Sequence, residues 1–160
     1  MELRDRNGLT EAEYLAAYDA SKFPHPSLTA DLALFCREDG RLQVLLVKRG
    51  GHPCIGKWAL PGGFAEPGEA IEATAARELF EETHVAGIAP ELVGVFSAPG
   101  RDPRGWVVSV LFTALVDAKP QAKAGDDARE AAWFDTDALP ALAFDHADMI
   151  RAAMAEVLTK

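Results

Sequence analysis

The chain has 160 residues, 49% hydrophobic and 26% charged, the profile of one folded domain rather than of a disordered segment. Sixteen Lys and Arg face 25 Asp and Glu, for a formal net charge of −9. That balance argues against a nucleic-acid binder or an anionic-membrane binder, both of which need a basic face; a polyanionic substrate would need a mediating cation, and a divalent metal is the simplest.

The first ten residues are polar and lack an apolar core, so no secretory leader is expected. Thr10 followed by Glu13 resembles a capping box, with Tyr14, Leu15 and Tyr18 at helical spacing behind it. Pro24 and Pro26 hold residues 21–27 extended. Leu28–Cys36 reads as a strand, Glu38-Asp39-Gly40 as a hairpin turn, and Leu42–Lys48 as the return strand. A loop follows, then a short strand at Trp58–Leu60, stopped by Pro61-Gly62-Gly63. Glu69–Thr83 is the clearest helix, with Pro67 near its start and Ile71, Ala75, Leu79 and Thr83 along one face. Strands are expected at Leu92–Ser97 and Trp106–Asp117, joined by a Gly100–Gly105 loop. Lys119–Asp127 reads as a loop, Ala131–Phe134 as a strand and Met149–Leu158 as a closing helix, with Asp145 or Asp148 near its start.

The longest near-apolar stretch, Trp106–Val116, is far short of the ~20 residues that cross a bilayer. Cys36 and Cys54 make no disulfide framework and no zinc cluster. A cytoplasmic protein without a membrane or nucleic-acid partner is the expectation. The element order predicts an α+β fold, a mixed sheet sandwiched by helices. Neither GxGxxG nor a phosphate-binding GxxxxGK[ST] loop occurs.

The chemistry concentrates in Gly63–Val85, where Glu66, Glu69, Glu72, Glu78, Glu81 and Glu82 face a single base, Arg77. On a helix Glu78 and Glu82 share one face, with Glu81 on the neighbouring row. Like charges four apart repel by roughly 0.2–0.5 kcal/mol, whereas Arg77 stands four residues before Glu81 and can pair with it. A hard cation with oxygen ligands relieves the repulsion, and carboxylates in this pattern suit Mg²⁺ or Mn²⁺ bridging to phosphates.

This stretch resembles the Nudix box, G-x5-E-x7-R-E-U-x-E-E-x-G-U with U aliphatic. Gly63, Glu69, Arg77-Glu78-Leu79, Glu81-Glu82 and Val85 match it; His84 stands where the pattern has Gly. The position lies near the helix C-terminus, where a left-handed residue commonly caps, and His84 is read as that cap.

The resemblance implies an α/β/α sandwich of the Nudix type, one domain over residues 1–160 with residues 1–27 as an N-terminal extension. It also implies metal-dependent hydrolysis of a nucleoside diphosphate linked to another moiety. By position, Glu78 and Glu82 are the main metal ligands, Glu81 a further ligand or a base, the Gly63 carbonyl a contributor, Arg77 an orienting residue and Glu69 a support of the loop–helix structure. A general base outside the box is sought among Asp126, Asp127 and Glu130, with Asp127 named first.

Segments around the box, including Gly56–Phe64, Gly100–Gly105, Gly125-Asp126-Asp127 and Ala143–His146, are similar to the ADP-ribose pyrophosphatase-like branch. ADP-ribose, cleaved to AMP and ribose 5-phosphate, is then the expected substrate; another nucleotide, or a nucleotide-sensing module of weak activity, is the alternative. Arg49, Arg101 and Arg104 are candidates for phosphate or ribose oxygens, and Phe23, Phe64 and Trp106 for stacking on the base. Relatives in this branch are often homodimers, and residues 1–27 are a candidate interface.

Overall fold

A mixed sheet is the centre of the structure, a computed structural model that describes residues 2–125 and 128–160. Its strands are β1 (Ser27–Glu38), β2 (Arg41–Arg49), β3 (Trp58–Ala59), β4 (Gly62–Phe64), β5 (Glu91–Phe96), β6 (Val107–Val116) and β7 (Ala128–Asp135). The main path runs β3-β2-β1-β6-β5, with β4 added to β1 and β7 to β2. β1 and β6 are parallel over ten registered pairs; the remaining pairings are antiparallel.

Both faces of the sheet are covered, because β1 and β2 are apolar on both sides. Ala30, Leu32, Leu34 and Leu45 pack with Ala75 and Leu79 of α2 (Ile71–Thr83). Ala33, Phe35, Val44 and Leu46 pack with Met149, Ile150 and Ala153 of α3 (His146–Leu158). Alternation along each strand sends successive side chains to opposite helices, and the expected α/β/α sandwich results. No helix among the described residues is long and apolar enough to cross a membrane.

The N-terminal helix α1 (Glu11–Ala17) carries the expected capping box, Thr10 and Glu13 bonding reciprocally. It buries none of its residues. A 3₁₀ turn over Ala20–Lys22, capped by Asp19, links it to β1.

Most strands shift by one to three residues at their ends, β7 running Ala128–Asp135 where Ala131–Phe134 is expected, and three differences bear on the site. Gly62–Phe64 is a strand rather than a stop, since it pairs with Thr29–Asp31 of β1. The box helix begins at Ile71 rather than Glu69, because the Glu69 carboxylate is engaged by Thr74 and Arg77. α3 begins at His146 rather than Met149. Its N-cap Asp145 makes no side-chain capping bond, because Arg101 takes that carboxylate.

Candidate active site

The box places its acids between α2 and β4. Arg77 is the hub: Nε donates to Glu69 Oε2 at 2.7 Å and Nη2 to Glu69 Oε1 at 3.0 Å. Nη1 reaches Glu78 Oε1 at 2.8 Å and Glu81 Oε2 at 3.1 Å, and Nη2 the Phe64 carbonyl at 3.0 Å. One guanidinium therefore ties three glutamates of the helix region to the strand opposite. The expected Arg77–Glu81 pair is present, and the two-pronged fork on Glu69, the stronger geometry, is added to it. That fork, helped by the Thr74 hydroxyl, holds the Glu69 carboxyl down to about 2.

Glu78 and Glu82 lie deeper. Burial raises Glu78 above the usual carboxylate range against the pull of Arg77. Burial pushes Glu82 up to about 8; the Gly62 N–H, donating to Glu82 Oε2 at 3.1 Å, opposes this, while Glu78 and Asp31 reinforce it. β4 can come this close because it has no side chains at Gly62 and Gly63. A Cβ on Gly63 would stand 2.5 Å from the Glu78 carboxyl, and one on Gly62 would stand 2.3 Å from Asp31 Oδ1.

Among the described residues, no three carboxylate, imidazole or thiol groups already converge as ligands; Glu78 and Glu81 are drawn instead to Arg77. The donor set nonetheless fits a hard divalent cation. It offers two carboxylates whose ionisation is opposed by burial and by each other, beside a backbone that the missing Gly63 side chain leaves open.

These groups line a cleft of ≈ 850 Å³, within the range of small-molecule sites. Arg49, Arg101 and Arg104 line it too. Each is engaged: Arg49 Nε with the Pro53 carbonyl at 2.7 Å, Arg101 in a fork on Asp145 at 2.9 and 2.7 Å, and Arg104 on Asp102 at 2.7 Å. The Arg104 guanidinium stands 5.0 Å from the Phe64 ring centre and 5.6 Å from that of Phe144, and Arg49 5.0 Å from Phe144. Phe144 has a φ of 49°, a left-handed conformation uncommon for a bulky residue.

Phe23 is not among the cleft-lining residues; it stacks on Tyr18 with ring centres 5.7 Å apart. Trp106 is also absent from the lining and exposed. Glu130 pairs with Lys48 at 3.1 Å. Asp126 and Asp127 lie outside the described residues. His84 has φ 60° and ψ 15° and closes α2 as the expected left-handed cap, its Nδ1 2.8 Å from the Lys123 carbonyl.

Asp31, Phe144 and His146 line the cleft but receive no role from the sequence. Asp31 leaves a signal as a carboxylate inside the apolar run of β1, and Phe144 and His146 fall within the Ala143–His146 segment noted above. Phe144 and His146 reach the cleft only through the turn that starts α3.

Comparison with known proteins agrees with this geometry. The family model described as "NUDIX domain" matches residues 26–153. The ADP-ribose pyrophosphatase of Methanocaldococcus jannaschii is 45% identical over 127 residues, 79% of this chain and 72% of that protein. The ADPR responsive transcriptional repressor NtrR of Acinetobacter baylyi is 37% identical over 158 residues, 96% of this chain but 63% of the repressor. Among solved structures, the NUDIX domain of Shewanella oneidensis NrtR complexed with ADP ribose has a TM-score of 0.86 at 39% identity, covering 93% of this chain and 99% of that one. The box, the sandwich and the matched span together make this chain a member of the NUDIX domain family.

Proposed function

We propose that the protein is an ADP-ribose pyrophosphatase that hydrolyses ADP-ribose to AMP and ribose 5-phosphate with Mg²⁺ or Mn²⁺. The observation that carries the reading is the placement of half-buried Glu78 and Glu82 against the side-chain-free Gly62-Gly63 strand, in a chain 45% identical to an ADP-ribose pyrophosphatase. Glu78, Glu82 and the Gly63 carbonyl would hold the cation. When bound, it supplies charge neutralisation to the diphosphate and acidifies water.

The protein's own residues do the positioning. Arg77 fixes the rotamers of Glu78 and Glu81, and Glu69 anchors Arg77 in turn. Glu81, less buried than Glu78 and held by one contact, serves as a further ligand or accepts the proton of the attacking water. Asp127 is a second candidate for that proton. Arg49, Arg101 and Arg104 bring positive charge to the cleft for the phosphates. The Phe64 and Phe144 rings, with Arg104 over both, suit a purine base. The reading places the protein in the cytoplasm as a homodimer in which residues 1–27 take part.

The test is product analysis after incubation with ADP-ribose, NADH, a sugar nucleotide and 8-oxo-dGTP, with and without Mg²⁺ or Mn²⁺. Preference for ADP-ribose, release of AMP and arrest by EDTA are expected. Preference for another panel member would replace the substrate and leave the site standing. The similarity to the NrtR domain bound to ADP ribose favours one further reading, a ligand sensor; tight ADP-ribose binding without metal-dependent turnover would select it.

A further inference from the structure

Two buried polar side chains on the α3 side of the sheet are each satisfied on one atom only. Asp31 lies in the same row as Ala33 and Phe35 of β1, and its Oδ2 accepts from the Ser109 hydroxyl of β6. His146, the first residue of α3, accepts the Leu60 N–H on Nδ1 at 3.0 Å. Because Nδ1 is an acceptor, the neutral ring carries its hydrogen on Nε2. Burial lowers the tendency of this imidazole to charge, against the pull of Asp31 and Asp145.

The remaining atoms, Asp31 Oδ1 and His146 Nε2, are 3.8 Å apart, beyond direct hydrogen-bond reach. Their side chains are 9% and 6% exposed, and both residues line the cleft. Among the described residues the one fully enclosed side-chain atom without a partner is Gln43 Oε1. The two free atoms therefore open onto the cleft, an acceptor beside a donor. An oxygen ~2.8 Å from each closes the triangle.

We propose that Asp31 and His146 form a hydroxyl-recognition subsite, in which a sugar hydroxyl of the substrate donates to Asp31 Oδ1 and accepts from His146 Nε2–H. The chemistry excludes the simpler occupants. An anionic oxygen meets Asp31, with Glu78 and Glu82 close by, and is repelled. A metal cation meets an N–H rather than a lone pair. A hydroxyl satisfies both atoms, and a site of this kind rejects an analogue that lacks the group, since the buried pair is then left unmatched. We assign to this subsite the sugar across the diphosphate from the base: the base goes to the exposed Phe64 ring with Phe144 and Arg104, and the more enclosed pair takes the other end. The assignment rests on the ADP-ribose reading above.

The test compares kcat/KM for ADP-ribose with that for the β-methyl ester of ADP, which keeps both phosphates and their charge and lacks the second sugar. His146→Asn keeps an acceptor for the Leu60 N–H and removes the Nε2–H donor. It should lower kcat/KM for ADP-ribose about 10-fold, one lost hydrogen bond, and leave the methyl ester within about 2-fold. Asp31→Ala is the second variant and should show the same selectivity; its change of charge cancels between two equally charged ligands. Thermal melts establish that each variant is folded. Equal losses on both ligands would mean that the pair holds a water or only supports the fold, and unchanged kinetics on both would mean that it binds nothing; either result overturns the assignment. Failure of the ADP-ribose reading shows separately, as a wild-type protein that does not turn over ADP-ribose.

Discussion

Glu82→Gln separates the burial of a carboxylate from its use. In the metal-free fold, Glu82 is pushed from 4.5 to about 8, chiefly by burial. The folded protein therefore holds this proton more tightly than the unfolded chain, and stability falls as pH rises from about 4.5 to about 8. At ~1.4 kcal/mol per pH unit the cost approaches about 5 kcal/mol once the group is fully ionised, and about 2 kcal/mol is already incurred at pH 6. Glu69 acts in the opposite sense, but its window lies below pH 4.5. Wild type in EDTA should lose about 3 kcal/mol between pH 6 and pH 9, roughly 6–12 °C in Tm for a domain of this size. Glutamine still accepts the Gly62 N–H and has no charge to bury, so the variant should melt higher at pH 8–9 and with a flatter profile. Adding Mg²⁺ should stabilise wild type increasingly as pH rises and do little for the variant, which should also lose turnover. Thermal melts from pH 5 to 9, with EDTA or Mg²⁺, make the measurement. Parallel wild-type and variant profiles, or wild-type turnover by the variant, would refute the placement of Glu82 as a half-buried ligand.

Gly63→Ala puts a methyl 2.5 Å from the Glu78 carboxyl; displacement of Glu78 should cut kcat at least 100-fold while stability falls by about 1–3 kcal/mol, read by steady-state kinetics and urea unfolding. Arg101→Ala strands Asp145 at the start of α3, and with the Arg101 side chain 6% exposed the loss should be about 3–5 kcal/mol. Arg104→Ala likewise strands Asp102, whose side chain is 4% exposed and would keep only the backbone N–H of residue 104, so the loss should again be about 3–5 kcal/mol; a urea midpoint near wild type for either variant would contradict this. His84→Gly restores the residue of the family pattern. It relieves a left-handed backbone, worth about 1 kcal/mol, and gives up the bond to the Lys123 carbonyl, worth about the same, so Tm and turnover should stay near wild type; a 10-fold loss of kcat would give His84 a role beyond the cap.

The parts of this molecule that sequence reading reached are those whose physics is local. The spacing of Glu78, Glu81 and Glu82 on one helix, the αL preference at His84 and the capping box at Thr10 and Glu13 are settled within a few residues of chain. Alternating apolar residues in β1 and β2 likewise foretell burial on both faces, hence helices on both sides. What escaped depends on partners far along the chain. Gly62 and Gly63 have poor strand propensity, yet they form β4 because only a residue without a side chain lets the backbone lie against Asp31 and Glu78. Asp145 caps nothing at the start of α3 because Arg101, 44 residues away, takes its carboxylate. Arg101 and Arg104 were legible as cationic loop residues, and the Arg104–Asp102 pair, two residues apart, as a local one; Asp145, the partner of Arg101, was not. Asp31 and His146 are 115 positions apart in sequence and meet at one segment, where Gly62 pairs with Asp31 and the Leu60 N–H donates to His146. The box is a local device for gathering charge, readable as a pattern; the cleft that selects among substrates is assembled from residues on eight elements and the loops between them, brought together by pairings such as β1 with β4 that no window of sequence contains.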